Sequence, residues 1–176
     1  MKRFWMFICM ILIAIIIYYQ YIKEDVPLPT ALHPVVEERT NLLIQNMADK
    51  GITVLITDGF RSVEEQDILY EQGRTTEGSI VTYAKGGESL HNFGLAVDFA
   101  LKTGSGQVIW DMEFDGNGNG VADWMEVVEN AKELGFEWGG DWIGFEDYPH
   151  LQLDFGLSLH ELQRGKMPSE KALTAY

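Results

Sequence analysis

The chain has 176 residues, and its 27 acidic against 13 basic side chains give a net charge of −14. That balance argues against a nucleic-acid-binding surface and against electrostatic adhesion to an anionic wall, so any recognition must be local. A single cysteine, Cys9, excludes a disulfide framework and a cysteine-based metal site.

The first element is the apolar run FWMFICMILIAIIIYYQYI, Phe4 to Ile22. It is long enough to cross a bilayer core of ~30 Å, which takes about 20 helical residues. Lys2 and Arg3 precede it, and Trp5, Tyr18, Tyr19 and Tyr21 lie near its ends, the positive-inside and aromatic-belt pattern. Residues 1–23 therefore predict an uncleaved signal anchor, with the rest of the chain attached to the cell membrane on its outer side. A removable signal peptide, which would leave a secreted protein, has no A-x-A-like site here. Residues 24–34 carry Pro27, Pro29 and Pro34 and read as a short semi-rigid linker. Residues 35–165 have the length of one domain with one core.

Within that domain, helical spacing from Val35 to Met47 predicts an opening helix. ITVLITDGF, β-branched and apolar, predicts a strand that ends at Asp58-Gly59, with Arg61 at its mouth and a helix from Ser62 to Gly73. In SLHNFGLAVDFAL, residues 89–101, strand alternation puts Leu95, Val97, Phe99 and Leu101 on one face and Ala96, Asp98 and Ala100 on the other. GQVIWDMEF reads as a further strand. WMEVVENAKELG reads as a helix with Gly135 as its cap. DYPHLQLDF repeats the alternation, with His150, Gln152 and Asp154 on one face and Leu151, Leu153 and Phe155 on the other. In GFEWGGDWIGF, Trp138 and Trp142 suit either a substrate groove or the core. Residues 166–176 form a polar tail with no evident chemistry.

The chemistry starts from Asp98. A carboxylate between two alanines is costly unless it is paired, hydrogen-bonded or bound to metal. His91 lies just upstream beyond a bend at Asn92 and Gly94, and a hydrogen-bonded His–Asp pair bracing that bend is one solution. The other needs a third group, and the second alternating strand offers His150. Two histidines, an aspartate and an open fourth position are what a catalytic zinc requires. Asp147, three residues before His150, is then placed as a general base, although an Asp in a Pro-containing turn also has a purely conformational use. Arg61 suits a developing oxyanion, and a surface ion pair is its bland alternative.

A second metal loop is written in DGNGNGVADWME. Asp115, Asn117, Asn119, Gly120 and Glu126 satisfy the D-x-[DN]-x-[DN]-G-x5-E pattern of a calcium loop at residues 115–126, with Asp123 at the ninth position and the Val121 carbonyl as backbone ligand. The preceding segment reads as strand rather than helix, so this is a calcium loop on a scaffold other than an EF-hand. A solvated Gly/Asn turn is the alternative.

Ser89-x-His91-x-x-Gly94-x-Ala96-x-Asp98 followed by Asp147-x-x-His150, with DGFRSVEEQDILYEQGRT and GFEWGGDW, resembles the zinc peptidases of bacterial cell walls. That family groups D-alanyl-D-alanine carboxypeptidases with the L-alanyl-D-glutamate endopeptidases of bacilli and phage endolysins. The similarity runs from Gly51 to Gly156. It implies zinc on His91, Asp98 and His150, Asp147 as catalytic base, Arg61 on the oxyanion or a substrate carboxylate, and Ser89 in the pocket wall. It also implies a small α+β fold, an antiparallel sheet flanked by helices, shared with the hedgehog signalling domain. The substrate it implies is the peptidoglycan stem peptide. The carboxypeptidase branch usually carries Glu and then Pro-Trp-His at the second ligand motif. Asp147-Tyr148-Pro149-His150 and the upstream WGGDW look more like the endopeptidase branch, which cuts between L-Ala and D-Glu. D-alanyl-D-alanine carboxypeptidase activity is the alternative reaction. A non-catalytic, metal-stabilised binding module of the cell surface is the alternative from another class, and it would have no need of both Asp147 and Arg61.

Overall fold

Helix α1 (Pro34–Asp49) starts where Pro34 presets the first turn and the His33 ring caps it, its Nδ1 accepting from the Val35 N–H at 3.3 Å. Val36, Leu43 and Met47 recur at helical spacing on its buried side. In the computed structural model of the protein, the described residues are 27–169 together with 5, 8–15 and 18. Strand β1 (Thr53–Asp58) follows, then α2 (Val63–Glu71), opened by a reciprocal capping box between Ser62 and Glu65. A 3-10 turn over Leu90–Phe93 leads into β2 (Ala96–Lys102), which is followed by β3 (Val108–Ile109) and α3 (Asp123–Glu133). Next come β4 (Glu137–Trp138), a second 3-10 turn (Gly139–Asp141), β5 (His150–Gln152) and α4 (Leu159–Gln163).

The strands make one antiparallel sheet in the order β1-β2-β5-β4, with β3 beside the far end of β2. The alternation expected for β2 holds. Leu95, Val97, Phe99 and Leu101 are buried in one cluster with Val36, Leu43 and Met47 of α1 and Trp124, Val127, Val128 and Ala131 of α3. Phe99 packs on the Trp124 ring with centroids 4.5 Å apart, and each such side chain contributes about 1.5–3 kcal/mol by leaving water. With this face sealed by helices, the opposite face of β2 is left for Asp98. The α+β architecture is the one expected.

Several boundaries differ from expectation. The helix after Ser62 stops at Glu71, short of Gly73. The strand in GQVIWDMEF is only Val108–Ile109, because Asp111 turns the chain by accepting from the Glu113 N–H at 2.9 Å. β5 is three residues long, and Asp154, expected to continue its polar face, ends it by accepting from the Gly156 N–H beside Phe155 at φ 55°. Among the described residues no helix is long and apolar enough to cross a membrane. Residues 8–15 are helical, but much of the expected anchor, like residues 170–176 of the tail, lies outside the described residues.

Candidate active site

Register builds the site. β1 pairs with β2 in simple antiparallel fashion up to Ile56 opposite Phe99, and then shifts so that Asp58 stands opposite Asp98. Without that bulge Asp58 would sit one position further along and turn toward the core. β2 in turn pairs Asp98 with His150 of β5. Asp58, Asp98 and His150 thus form one row across three neighbouring strands.

His91 reaches the same row from the 3-10 turn. Ser89 caps that turn, and Gly94 ends it in the left-handed conformation at φ 67°. A Cβ at Gly94 would lie 2.4 Å from the Ala31 carbonyl oxygen, so the chain can enter β2 here only as glycine. Asn92, buried beside His91, donates to the carbonyls of Arg61 and Ser62 and accepts from the Gly87 N–H. Those bonds tie the turn to the segment that carries Arg61.

Three donor atoms meet at nearly equal distances. His91 Nε2 lies 3.2 Å from His150 Nδ1, and each lies 3.3 Å from Asp98 Oδ1. Four ligands at zinc bond lengths of 2.0–2.1 Å stand about 3.3–3.4 Å apart along the edges of a tetrahedron, so the spacing is that of a ligand set. Proton positions agree with it. His91 Nδ1 lies 2.7 Å from the Gly59 carbonyl, which can only accept, so the ring proton is there and Nε2 presents a lone pair. His150 Nε2 lies 3.0 Å from Gln152 Oε1, which leaves the Nδ1 lone pair facing the cluster. Two lone pairs and a carboxylate oxygen aimed at one point repel one another unless a cation joins them. Among the described residues this is the only group of three or more His, Cys, Asp or Glu side chains that gathers closely enough to hold a metal ion.

The charges around it are ordered. Burial pushes the Asp98 carboxyl up, but in the metal-free site His150 and His91 in their imidazolium forms donate to it and add positive charge, which outweighs burial and holds the group well below the usual carboxylate range. Burial pushes Asp147 up, opposed by the charge of His150 and reinforced by that of Asp98. The Asp147 N–H donates to the Gly139 carbonyl at 3.0 Å, and a Cβ on Gly139 would come within 2.5 Å of the Asp147 carbonyl oxygen. Glycine at 139 is what lets the turn carrying Asp147 fold back toward His150.

Arg61 is not a surface ion pair. Its Nε and Nη2 donate to Asp58 Oδ2 at 3.1 and 2.5 Å, its Nη1 donates to Gln66 Oε1 at 2.7 Å, and Nη2 stands 3.7 Å from Asp98 Oδ2. Gln66 is fully buried and donates to the Ala84 carbonyl. Of the five guanidinium N–H groups three are used, and two remain for a ligand. Arg61, Ser89, His91, Asp98, Asp147 and His150 all line one cavity of about 710 Å³. Trp142 lines it as well, its ring 5.1 Å from that of His150. Trp138 instead joins the core and donates from Nε1 to the Tyr148 carbonyl. Sequence reasoning gave Asn92 only the bend after His91 and left Asp58, Gln66, Gly139 and Gln152 without roles in the site. Of those four, Gln152 carried a signal, its place on the face of His150.

The calcium-type loop folds as a tight turn before α3. Asp115 accepts from the N–H groups of Gly118, Asn119 and Gly120, Asp123 accepts from Gly116, and Asn119 Oδ1 accepts from Val121. Glu126 accepts from the side-chain amides of Asn117 and Asn119 and pairs with Lys50 at 3.7 Å. Its three acids, Asp115, Asp123 and Glu126, do not gather as the His91 cluster does.

A family profile described as D-alanyl-D-alanine carboxypeptidase matches residues 82–153. The peptidoglycan L-alanyl-D-glutamate endopeptidase CwlK of Bacillus subtilis (strain 168) is 62% identical over 130 residues, 74% of this chain and 78% of that protein. The L-alanyl-D-glutamate peptidase of Listeria phage A118 is 38% identical over 105 residues, 60% of this chain and 32% of that protein. The solved L,D-carboxypeptidase DacB from Streptococcus pneumoniae shares the fold, with a TM-score of 0.52 at 22% identity over 79% of each chain. With 62% identity across most of a relative's length and the His–Asp–His cluster in one cavity, the chain belongs to the D-alanyl-D-alanine carboxypeptidase and L-alanyl-D-glutamate endopeptidase family of bacterial cell-wall zinc peptidases.

Proposed function

We propose that the protein hydrolyses the bond between L-Ala and D-Glu in the peptidoglycan stem peptide, with His91, Asp98 and His150 as zinc ligands. The observation that carries this reading is the convergence of that donor triangle with Asp147 and Arg61 on one cavity, in a chain so similar to a named L-alanyl-D-glutamate endopeptidase. Zinc held by these three residues would supply Lewis-acid activation of a water and of the scissile carbonyl. Asp147 would take a proton from the attacking water and return it to the departing D-Glu amine. Arg61 offers its two unused N–H groups to the oxyanion or to a substrate carboxylate, and Asp58 and Gln66 keep the guanidinium from moving. The Trp142 ring stands beside that of His150 and lines the cavity there. Ser89 forms the adjoining wall. Digesting purified muropeptides with the zinc-loaded protein and reading product masses is the test. Fragments with a new D-Glu amino terminus are expected, whereas release of terminal D-Ala alone would assign the D,D-carboxypeptidase reaction instead.

Calcium in residues 115–126 belongs to the same proposal. Its support is that Asn117, Asn119 and Glu126 converge, both amides lying within 3.0 Å of Glu126 Oε2. Presenting an amide oxygen there means giving up the bond it now accepts, from the Asn119 N–H for Asn117 and from the Val121 N–H for Asn119, which a bound calcium would have to offset. Calcium at a few millimolar is expected to raise the unfolding midpoint of the zinc-loaded protein by several degrees, consistent with a Kd on the order of 10⁻⁴ M. A Glu126→Gln variant should lose the shift, and an unshifted parent protein removes calcium from the account.

Residues 1–23 we assign to a membrane anchor that leaves the peptidase outside the cell, supported by the apolar run and by Lys2 and Arg3 before it. Protease added to intact protoplasts should digest the domain. Full protection until lysis places it inside and removes the anchor topology.

A further inference from the structure

We infer that Gln152, held in place by Glu137, is a positioning residue that fixes His150 in the one tautomer able to present Nδ1 to a metal. The inference rests on the zinc-peptidase reading above and adds to it a pair of residues outside the ligand set.

The geometry starts in the sheet. β4 pairs with β5 so that Glu137 stands opposite Gln152, and Gln152 lies two positions beyond His150 on the same side of its strand. Gln152 Nε2 donates to Glu137 Oε2 at 2.9 Å, while Gln152 Oε1 lies 3.0 Å from His150 Nε2. An ionised carboxylate can only accept. Glu137 therefore holds the NH2 end of the amide on its own side and turns the oxygen to the imidazole. The oxygen in turn requires the ring proton on Nε2. With the amide reversed, its NH2 would face Nε2, the ring proton would move to Nδ1, and that proton would point at Asp98 Oδ1 and His91 Nε2, each only 3.2–3.3 Å from Nδ1. Glu137 thereby selects the metal-competent orientation over the blocked one. His91 needs no comparable relay, since its partner is the Gly59 backbone carbonyl, which cannot reverse.

Outer hydrogen-bond partners of this kind are worth about 10–100-fold in metal affinity. The test measures the zinc dissociation constant of the whole protein by chelator competition, alongside the visible spectrum of the cobalt-substituted form. Gln152→Met keeps the volume and removes the acceptor. It is expected to weaken zinc by about 10–100-fold and to change the cobalt spectrum, with the unfolding midpoint of the metal-free protein unmoved. Gln152→Glu restores an acceptor to Nε2 and is expected to return both affinity and spectrum toward the parent. Glu137→Gln frees the amide to reverse and should weaken zinc by less than Gln152→Met does. Equal affinity in the parent and Gln152→Met, or failure of Gln152→Glu to bind better than Gln152→Met when both fold, overturns the inference. A parent protein that binds no zinc overturns the metal reading itself, which keeps the two failures apart.

Discussion

Asp147→Ala is expected to lower hydrolysis by about 10²–10⁴-fold while leaving one zinc per chain, the loss typical of removing a positioned general base. Asp147 lies outside the donor triangle, so nothing in the ligand set depends on its carboxyl. Yet it shares the cavity with all three ligands and is close enough that its charge is coupled to those of His150, Asp98, His91 and Arg61. Burial raises its proton affinity, which suits a group that must take a proton and give it back. The backbone of the turn is set by Gly139 and by the bond from the His150 N–H to the Asp147 carbonyl, neither of which involves the side chain, so the variant should fold. Elemental analysis and muropeptide turnover on the same preparation decide the matter. Unchanged turnover removes Asp147 from the chemistry, and loss of zinc together with activity makes it a structural residue.

The ligands were legible because each sits in an alternating strand or just before one. Once Leu95, Val97, Phe99 and Leu101 are assigned to the core, Asp98 has one direction left, and the same argument orients His150. Proximity between the two was not legible from either strand alone. It depends on β5 entering the sheet beside β2, a pairing that no local pattern encodes. The role of Asp58 was hidden for a related reason, since only the register shift after Ile56 moves it opposite Asp98. Gln66 was hidden because a glutamine inside a helix gives no sign that its amide accepts from Arg61 at one end and donates to the Ala84 carbonyl at the other. Trp138 and Trp142 could not be sorted because a short 3-10 turn at Gly139–Asp141 redirects the chain between them, sending one ring to the core and the other to the cavity.

The sheet's two faces explain why so small a domain can hold a charged site. Helices α1 and α3 seal one face with hydrocarbon, so the polar groups on the other need not support the core. They are supported instead by one another. Arg61 is fixed by Asp58 and Gln66, His91 by Gly59, and His150 by Gln152, so almost every polar atom at the site arrives with its partner in place.

Asp98→Ala should abolish both stoichiometric zinc and hydrolysis. Asp98 Oδ1 is the only anionic member of the triangle, and its removal leaves two imidazole nitrogens 3.2 Å apart with no carboxylate to offset the charge of a divalent ion. The affinity lost should exceed the roughly 10–100-fold that an outer hydrogen-bond partner commands. The strand itself tolerates the change, since Ala96 and Ala100 already occupy the neighbouring positions on that face and are fully buried there. In the metal-free parent the lowered pKa of Asp98 means that its ionised form favours the folded state. That contribution is present above the ordinary aspartate value and is lost as pH falls toward the depressed one. The metal-free variant should therefore be modestly less stable than the metal-free parent at neutral pH and more nearly equal to it in acid. Adding zinc should raise the parent's unfolding midpoint and leave the variant's where it was. A variant that still holds one zinc per chain at the parent's affinity removes Asp98 from the ligand set.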